Sequence, residues 1–123
     1  MPSRNSNTEK GILNNLRRGT IEIVLLSILE TEDQYGYQLS QSLKELSNGQ
    51  YDLNDATMYP TLYRLVQRGY LETNRVNVIG RRFRVYYHLS ESGRKYLNME
   101  KDQYFSFRDT MDELLKKIDA QKK

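Results

Sequence analysis

The hydrophobic periodicity of this chain changes at Gly69, and this change limits the folds that the chain can adopt. Before Gly69, apolar residues recur at the three- and four-residue spacing of amphipathic helices. From Leu71 to Leu89 they alternate with polar residues, as in half-buried strands. After Ser90 the spacing becomes helical again. The sequence therefore predicts a set of helices, one two-stranded ribbon and a final long helix, in that order.

The first predicted helix begins at Ile12, after an arm over residues 1–11 that lacks hydrophobic period and that we expect to be flexible. Gly19 is expected to loosen this helix midway. Its second half is apolar almost all round, which is typical of a helix at the centre of a core or in a subunit interface.

A second, short helix is predicted after a turn at residues 32–34. Leu39, Leu43 and Leu46 mark one face of this helix. Asn48 and Gly49 are suited to close it with a left-handed cap, because both tolerate positive φ angles.

A third helix is predicted to begin at Asn54 or Asp55, either of which is a favourable N-cap. The buried stripe would hold Met58, Leu62, Leu65 and Gly69, and the opposite, polar stripe Thr57, Thr61, Arg64 and Arg68. The polar stripe combines hydroxyl groups with cations, and hydroxyls near a helix N-terminus suit phosphate binding.

The ribbon is predicted to carry a basic outer face and a basic tip. Residues 79–82 form the turn, with Gly80 as its only glycine, and Arg82 and Arg84 leave the same face of the following strand. Residues 61–98 hold eight Arg or Lys against two Glu, although the net charge of the whole chain is only +3. Such a local positive field favours a nucleic-acid backbone as the partner, a solvated basic face being the alternative.

The last helix is predicted over residues 91–121, with Ser90 as its N-cap. Its apolar seam consists of Leu97, Tyr104, Phe107, Met111, Leu114 and Ile118, and Glu100 interrupts it. A helix of that length cannot pack wholly on so small a core, so we expect this seam to form the interface of a homodimer. Packing within one chain is the alternative.

Length and composition set the outer limits. The chain has 123 residues, enough for one small core, and only 37% of them are hydrophobic, ten of these being Tyr. This lean core again favours a homodimer. The chain contains no Cys, its N-terminal residues lack the apolar stretch of a signal peptide, and no apolar run is long enough to cross a membrane. We expect a soluble, cytoplasmic protein.

Helices followed by a two-stranded antiparallel wing make a mainly α fold, the winged helix-turn-helix, here with a long C-terminal helix. In this fold the third helix enters the major groove of double-stranded DNA, and the wing contacts the backbone or minor groove. We expect residues 12–90 to form the DNA-binding domain and residues 91–121 the dimerisation helix. The alternative is a dimeric winged-helix module whose basic face binds an acidic protein and not DNA.

Four short motifs carry a resemblance to a known family over residues 12–98. They are Leu16-Arg17-Arg18-Gly19-Thr20, Tyr35-Gly36-Tyr37-Gln38-Leu39, Ala56-Thr57-Met58-Tyr59-Pro60 with Arg64-Leu65, and Tyr86-Tyr87-His88-Leu89-Ser90. In combination they resemble the PadR-like transcriptional regulators. The resemblance implies a homodimeric DNA-binding repressor in which the last helix, with the first, builds the dimer interface, and which is released by an effector. A dimer of this kind is expected to bind a pseudo-palindromic operator.

The resemblance and the basic pattern together give a set of expected DNA contacts. These are Tyr37, Thr57, Tyr59, Thr61 and Arg64 on the helices, and Gly80, Arg81, Arg82 and Arg84 on the wing. The wing departs from the family pattern, which has a second glycine, a proline and a lysine before the tyrosine pair.

Tyr104 and Phe105 are the candidates for lining an effector pocket between two copies of the final helix, which would suit a small aromatic molecule. Core packing is the alternative role for these rings. The sequence shows no catalytic arrangement, since it has one His, no Cys and no phosphate-binding loop. We therefore expect no enzymatic activity, no cofactor and no metal.

Overall fold

The computed structural model describes residues 6–80 and 82–122 and shows five helices and three short strands there. The helices are α1 (Ser6–Arg18), α2 (Ile21–Thr31), α3 (Gly36–Leu46), α4 (Asp55–Gln67) and α5 (Glu91–Ala120), and the strands are β1 (Gln34–Tyr35), β2 (Leu71–Asn77) and β3 (Phe83–Leu89). This confirms a winged helix-turn-helix with a long C-terminal helix. Within these ranges, no helix has the length and apolar character needed to cross a membrane.

The first predicted helix is in fact two helices, α1 and α2, separated at Gly19 and Thr20. The Thr20 backbone N–H and hydroxyl both donate to the Arg17 carbonyl, at 2.7 and 2.8 Å. The Thr20 hydroxyl also lies 2.8 Å from the hydroxyl of Tyr51. These bonds end α1 and turn the chain into α2, so Gly19 marks a break where we had expected only a looser turn.

Helix α1 occupies part of the segment that we predicted to be irregular. Residues 6–11 form its first turns, and residues 1–5 of the predicted arm lie outside the described residues. Ile12, Leu13 and Leu16 of this helix are exposed, since none of the described residues buries them. An exposed apolar stripe of this kind is typical of a surface that contacts a partner.

The core is built mainly from leucines that every element from α2 to α5 contributes, apart from the two-residue β1. Its buried apolar side chains are Leu25, Leu26, Ile28, Leu29, Leu39, Leu43, Leu53, Met58, Leu62, Leu65, Leu71, Leu89 and Leu97. Each fully buried leucine stabilises the fold by about 1.5–3 kcal/mol relative to an exposed one. Helix α2 packs against α3, α4, α5 and β3, which confirms its predicted position at the centre of the core.

The predicted caps of α3 and α4 are present. Asn48 and Gly49 have φ angles of 53° and 78°, and the Gly49 N–H donates to the Lys44 carbonyl at 2.7 Å. Asn54 is the N-cap of α4, and its side-chain oxygen accepts from the Thr57 N–H at 2.9 Å. These two caps determine where α3 ends and where α4 begins.

The sheet is antiparallel with the order β1-β3-β2, so it has one strand more than the sequence predicted. Strand β1 pairs Tyr35 with Tyr86 of β3. Two residues are too few to show an alternating pattern, so hydrophobic periodicity cannot predict this strand. Gly80 adopts a φ of 87° in the turn between β2 and β3, a conformation that favours glycine. Arg81 lies outside the described residues.

Only the first part of helix α5 packs on the core. The Ser90 hydroxyl accepts from the Gly93 N–H at 3.0 Å, which confirms the predicted N-cap. Gly93 and Leu97 are buried against the rest of the chain, whereas residues 102–120 are exposed apart from the partly buried Met111. More than half of this helix therefore extends beyond the core.

Candidate nucleic-acid interface

A series of contacts joins the wing to the start of helix α4. The Arg84 guanidinium lies 4.3 Å from the centroid of the Tyr35 ring, and the Tyr35 and Tyr86 rings meet edge to face at 5.4 Å. The next residue, Gly36, lies against the ring of Tyr59 from α4. The wing cation and the helix hydroxyl thus belong to one continuous surface.

Helix α4 presents hydroxyl groups close to its N-terminus. Thr57 is partly exposed in the first turn, and Tyr59 is exposed where its ring passes over Gly36. Burial of the ring and, to a lesser extent, the carboxylate of Asp55 raise the pKa of Tyr59, so its hydroxyl keeps its proton at neutral pH. A protonated hydroxyl beside the positive end of a helix is suited to donate to a phosphate.

Thr61 does not lie where the sequence placed it. Its side chain is only 2% exposed, and its hydroxyl donates to the Thr57 carbonyl at 2.9 Å. The guanidinium of Arg64 donates to the same hydroxyl at 3.2 Å. Thr61 is thus a buried support for Arg64, and we remove it from the expected DNA contacts. Arg64 itself is exposed.

Sequence reasoning missed Tyr63. It lies one helical turn after Tyr59 and is 64% exposed, as is Tyr37 near the start of α3. The spacing of four residues between Tyr59 and Tyr63, followed by the exposed Gln67, was the available signal. The predicted polar stripe contains only threonine and arginine residues, so it leaves Tyr63 out. The outward stripe of α4 therefore contains more aromatic and amide groups than the predicted one.

The described part of the wing is cationic on both faces. Arg82 and Arg84 are exposed, and the chain has no acidic residue between Glu72 and Glu91. On the other face of the hairpin, the Arg75 guanidinium lies 4.3 Å from the centroid of the Phe83 ring. Aromatic rings thus orient two of these arginines.

The seam of helix α5 is largely uncovered in a single chain. Tyr104, Phe107, Leu114 and Ile118 are exposed, and Met111 is partly buried. The prediction that Leu97 belongs to the dimer interface is wrong, because Leu97 is 0% exposed and belongs to the core of its own chain. The remaining five residues stay candidates for an interface between two chains.

An apolar groove of about 650 Å³ runs between α5 and the junction of α1 and α2. Its lining includes Leu16, Ile23, Tyr96, Tyr104, Phe107 and Met111. Phe105 is not among its lining residues. Its ring packs edge to face on Tyr104 at 5.4 Å and is covered by Arg108, whose guanidinium lies 5.0 Å from the ring centroid.

Helices α2 to α4, followed by a cationic hairpin, define a winged helix-turn-helix protein. The sequence profile of the Transcriptional regulator PadR-like family matches residues 25–99. The chain therefore belongs to the PadR-like family of transcriptional regulators, whose members bind DNA and usually dimerise.

Several known proteins are similar to this chain, and two of the three described here are transcriptional regulators. A crystal structure of a PadR family transcriptional regulator from Eggerthella lenta DSM 2243 superposes with a TM-score of 0.81 at 29% identity, over 93% of this chain and 97% of that one. An uncharacterised protein of Lysinibacillus sphaericus is 28% identical over 81 residues, which are 66% of this chain and 74% of that protein. Transcriptional regulator YqjI of Escherichia coli K12 is 36% identical over 44 residues, which are 36% of this chain and 21% of that regulator.

Proposed function

We propose that this PadR-like chain is a homodimeric repressor that binds a pseudo-palindromic operator in double-stranded DNA and is released by a small aromatic effector. Helix α4 would enter the major groove, and the wing would follow the backbone or the adjacent minor groove. The expected contacts are now Tyr37, Thr57, Tyr59, Tyr63 and Arg64 on the helices, with Gly80, Arg81, Arg82 and Arg84 on the wing.

The observation that carries this proposal is the continuous surface from Arg84 through Tyr35 and Gly36 to Tyr59. It joins a phosphate-binding cation to a hydroxyl at a helix N-terminus. Arginine is suited to this role, because its planar guanidinium can form two parallel hydrogen bonds with a phosphate.

The proposed dimer would form through helix α5. Five apolar seam residues of α5 and three of α1 lie at the surface of a single chain. Pairing two copies of α5 would cover the seam and place two wings and two α4 helices along one duplex. The expected half-sites would then lie about 34–36 Å apart or at a multiple of that distance.

Release by an effector rests on the groove beside α5. Its lining is predominantly apolar and contains three aromatic rings, Tyr96, Tyr104 and Phe107. Such a groove suits a planar apolar molecule. Because α5 would also carry the dimer contacts, a ligand bound there would alter the relative positions of the two DNA-binding units.

The decisive experiment measures the affinity of the purified protein for a random duplex as a function of salt. Phosphate contacts give a linear fall of log K with log salt, of about 0.9 per contact, and non-specific affinity of about micromolar or weaker. Replacing Arg82 and Arg84 with Ala should weaken binding to every duplex and flatten that slope by about 0.9 for each lost phosphate contact.

The charge-matched control replaces Lys116 and Lys117, on the exposed C-terminal part of α5, with Ala. This pair of substitutions removes the same charge but should leave the slope unchanged. A protein that binds no duplex even at low salt would instead be the interaction module described above. If the arginine and lysine variants changed the slope equally, the wing would have no specific role.

A further inference from the structure

The carboxylate of Glu22 on the central helix α2 contacts residues at the C-terminal end of α4 and in α5. Glu22, in the first turn of α2, accepts a hydrogen bond from the Tyr96 hydroxyl of α5 at 3.0 Å. The same carboxylate pairs with the guanidinium of Arg68, the C-cap of α4, at 3.5 Å. Glu22 thus connects the helix proposed to enter DNA with the helix proposed to form the dimer.

Glu100 lies beside this junction, one turn after Tyr96 on α5. Its Oε1 atom is enclosed and has no hydrogen-bond partner among the described residues. Burial, reinforced by the negative charge of Glu22, raises the pKa of Glu100 to about 7. Burial and the bond to Glu22 also raise the pKa of Tyr96, so its hydroxyl remains a donor.

Glu100 also lies between two concave surfaces. It lines the apolar groove beside α5 and a second depression of about 490 Å³ that reaches α4. The second depression is lined by Arg18 of α1, Glu22 of α2, and Thr57 and Arg64 of α4. Glu100 therefore lies next to the proposed DNA-facing helix on one side and next to the proposed effector groove on the other, so a change in its charge would affect both.

We propose, on the basis of the function proposed above, that Glu22 is a positioning residue for duplex binding, which fixes α4 relative to α5 as long as Glu100 carries a proton. A protonated Glu100 can donate to Glu22 and leaves the Glu22–Arg68 pair undisturbed. An ionised Glu100 repels Glu22 and competes with it for Arg68. The nearby cations Arg18 and Arg64 would then be drawn toward the second carboxylate.

The consequence follows from the geometry of a dimer joined through α5. The position of α4 relative to α5 sets the separation of the two α4 helices, and a two-half-site operator demands one separation. Loosening the junction should therefore weaken binding to an operator more than binding to a random duplex, which makes no such demand.

The test compares the wild-type protein with Glu100→Gln and Glu22→Gln at about pH 6 and about pH 8. The probes are a duplex enriched by selection with the wild-type protein and a random duplex of equal length. The wild-type protein should lose about threefold to tenfold of its affinity for the selected duplex over this range, which corresponds to a coupling of up to about one pKa unit. Glu100→Gln should keep the affinity measured at the lower pH, and Glu22→Gln should weaken binding at both.

Two matched controls separate this proposal from general effects. Glu30→Gln removes a carboxylate of the same helix that pairs with Arg94 and Lys101 of α5 but does not reach α4, so it should preserve the pH profile. His88→Gln removes the only histidine, which lies on β3 and pairs with Asp33 just before β1, and it should also preserve the pH profile.

A second readout does not depend on DNA. Because the chain has no Cys, spin labels can be placed at Tyr63→Cys on α4 and Lys116→Cys on α5, with labelled chains diluted in an excess of unlabelled ones. The distance distribution should broaden above neutral pH in the otherwise wild-type chain and remain narrow with Glu100→Gln. An identical pH response of the two proteins, in distance or in affinity, would overturn the proposal. Failure to bind either duplex at any pH would instead refute the proposed function.

Discussion

Gly36 lies so close to Tyr59 that a Cβ atom on Gly36 would overlap the hydroxyl oxygen of that tyrosine. The Tyr59 ring therefore occupies the space that any other residue at position 36 would fill. This contact fixes the hydroxyl at the junction between the wing and α4, where we expect a phosphate. The first prediction tests this arrangement.

Gly36→Ala should weaken duplex binding with little loss of stability. The new methyl group would push aside the tip of an exposed side chain, and Ala favours the helix that begins there. We expect duplex affinity to fall about tenfold, the contribution of one hydrogen bond to a charged group. Titration with labelled duplex, alongside a thermal melt, measures both quantities.

The control for that experiment introduces Gly36→Ala into a chain that already carries Tyr59→Ala. Adding Gly36→Ala to Tyr59→Ala should change the affinity no further, since the displaced ring is already absent. A further loss in the double variant would show that Gly36 acts in some other way, for example through the backbone of α3.

The Tyr35 ring should contribute to DNA binding through Arg84. The exposed guanidinium stacks on this ring at 4.3 Å, so losing the ring should release a cation that it orients. A double-mutant cycle with Tyr35→Leu and Arg84→Ala, read out by duplex affinity, should give a coupling of about 0.5–1 kcal/mol. The comparison cycle uses Arg75→Ala, whose guanidinium stacks on Phe83, and should be additive with Tyr35→Leu. Equal coupling in both cycles would refute the role of Tyr35.

The sequence predicted those elements whose periodicity extends over many residues. The hydrophobic pattern of strand β2 extends over seven residues and that of α5 over thirty. The N-caps Asn54 and Ser90 depend on hydrogen bonds to residues three positions later, so they could be predicted from local sequence. The break between α1 and α2 was harder to predict. It depends on Thr20, whose hydroxyl donates to the carbonyl of Arg17 in α1 and lies within hydrogen-bonding distance of the hydroxyl of Tyr51, which comes from a distant segment.

Two site residues were misplaced for identifiable physical reasons. Thr61 lies on the polar stripe of a helical wheel, yet a threonine can be buried in a helix when its hydroxyl donates to the carbonyl four residues earlier. Leu97 fits the heptad seam, but periodicity cannot tell whether a seam position faces its own core or a partner. Glu100, noted only as an interruption of that seam, proved to be partly buried beside Glu22.

The stability of the protein should fall as the pH rises from about 4.5 to about 7. The pKa of Glu100 is about 7 in the folded chain and about 4.5 when exposed. Between these values the folded chain holds a proton that the unfolded chain has released, so its stabilising effect is complete below about pH 4.5 and is lost as the pH passes about 7. Urea unfolding at constant ionic strength should show this slope, and Glu100→Gln should lack it.

An exposed carboxylate of the same helix serves as the control. Glu113→Gln should retain the pH slope, because Glu113 lies on the solvent-facing part of α5. If Glu100→Gln kept the full slope, the buried proton would have to be assigned to another group.

The proposed dimer should depend on Phe107 and not on Phe105, although both are exposed aromatic residues of the same helix. Phe107 lies on the seam and lines the groove, whereas Phe105 lies off it beneath Arg108. Phe107→Asp should therefore place a desolvated charge in the paired interface and give monomers at micromolar concentration in sedimentation experiments. Its far-UV spectrum should stay helical, because the side chain is outside the core of its own chain. Phe105→Asp should remain dimeric, and dissociation of both variants, or of neither, would contradict an interface along the predicted seam.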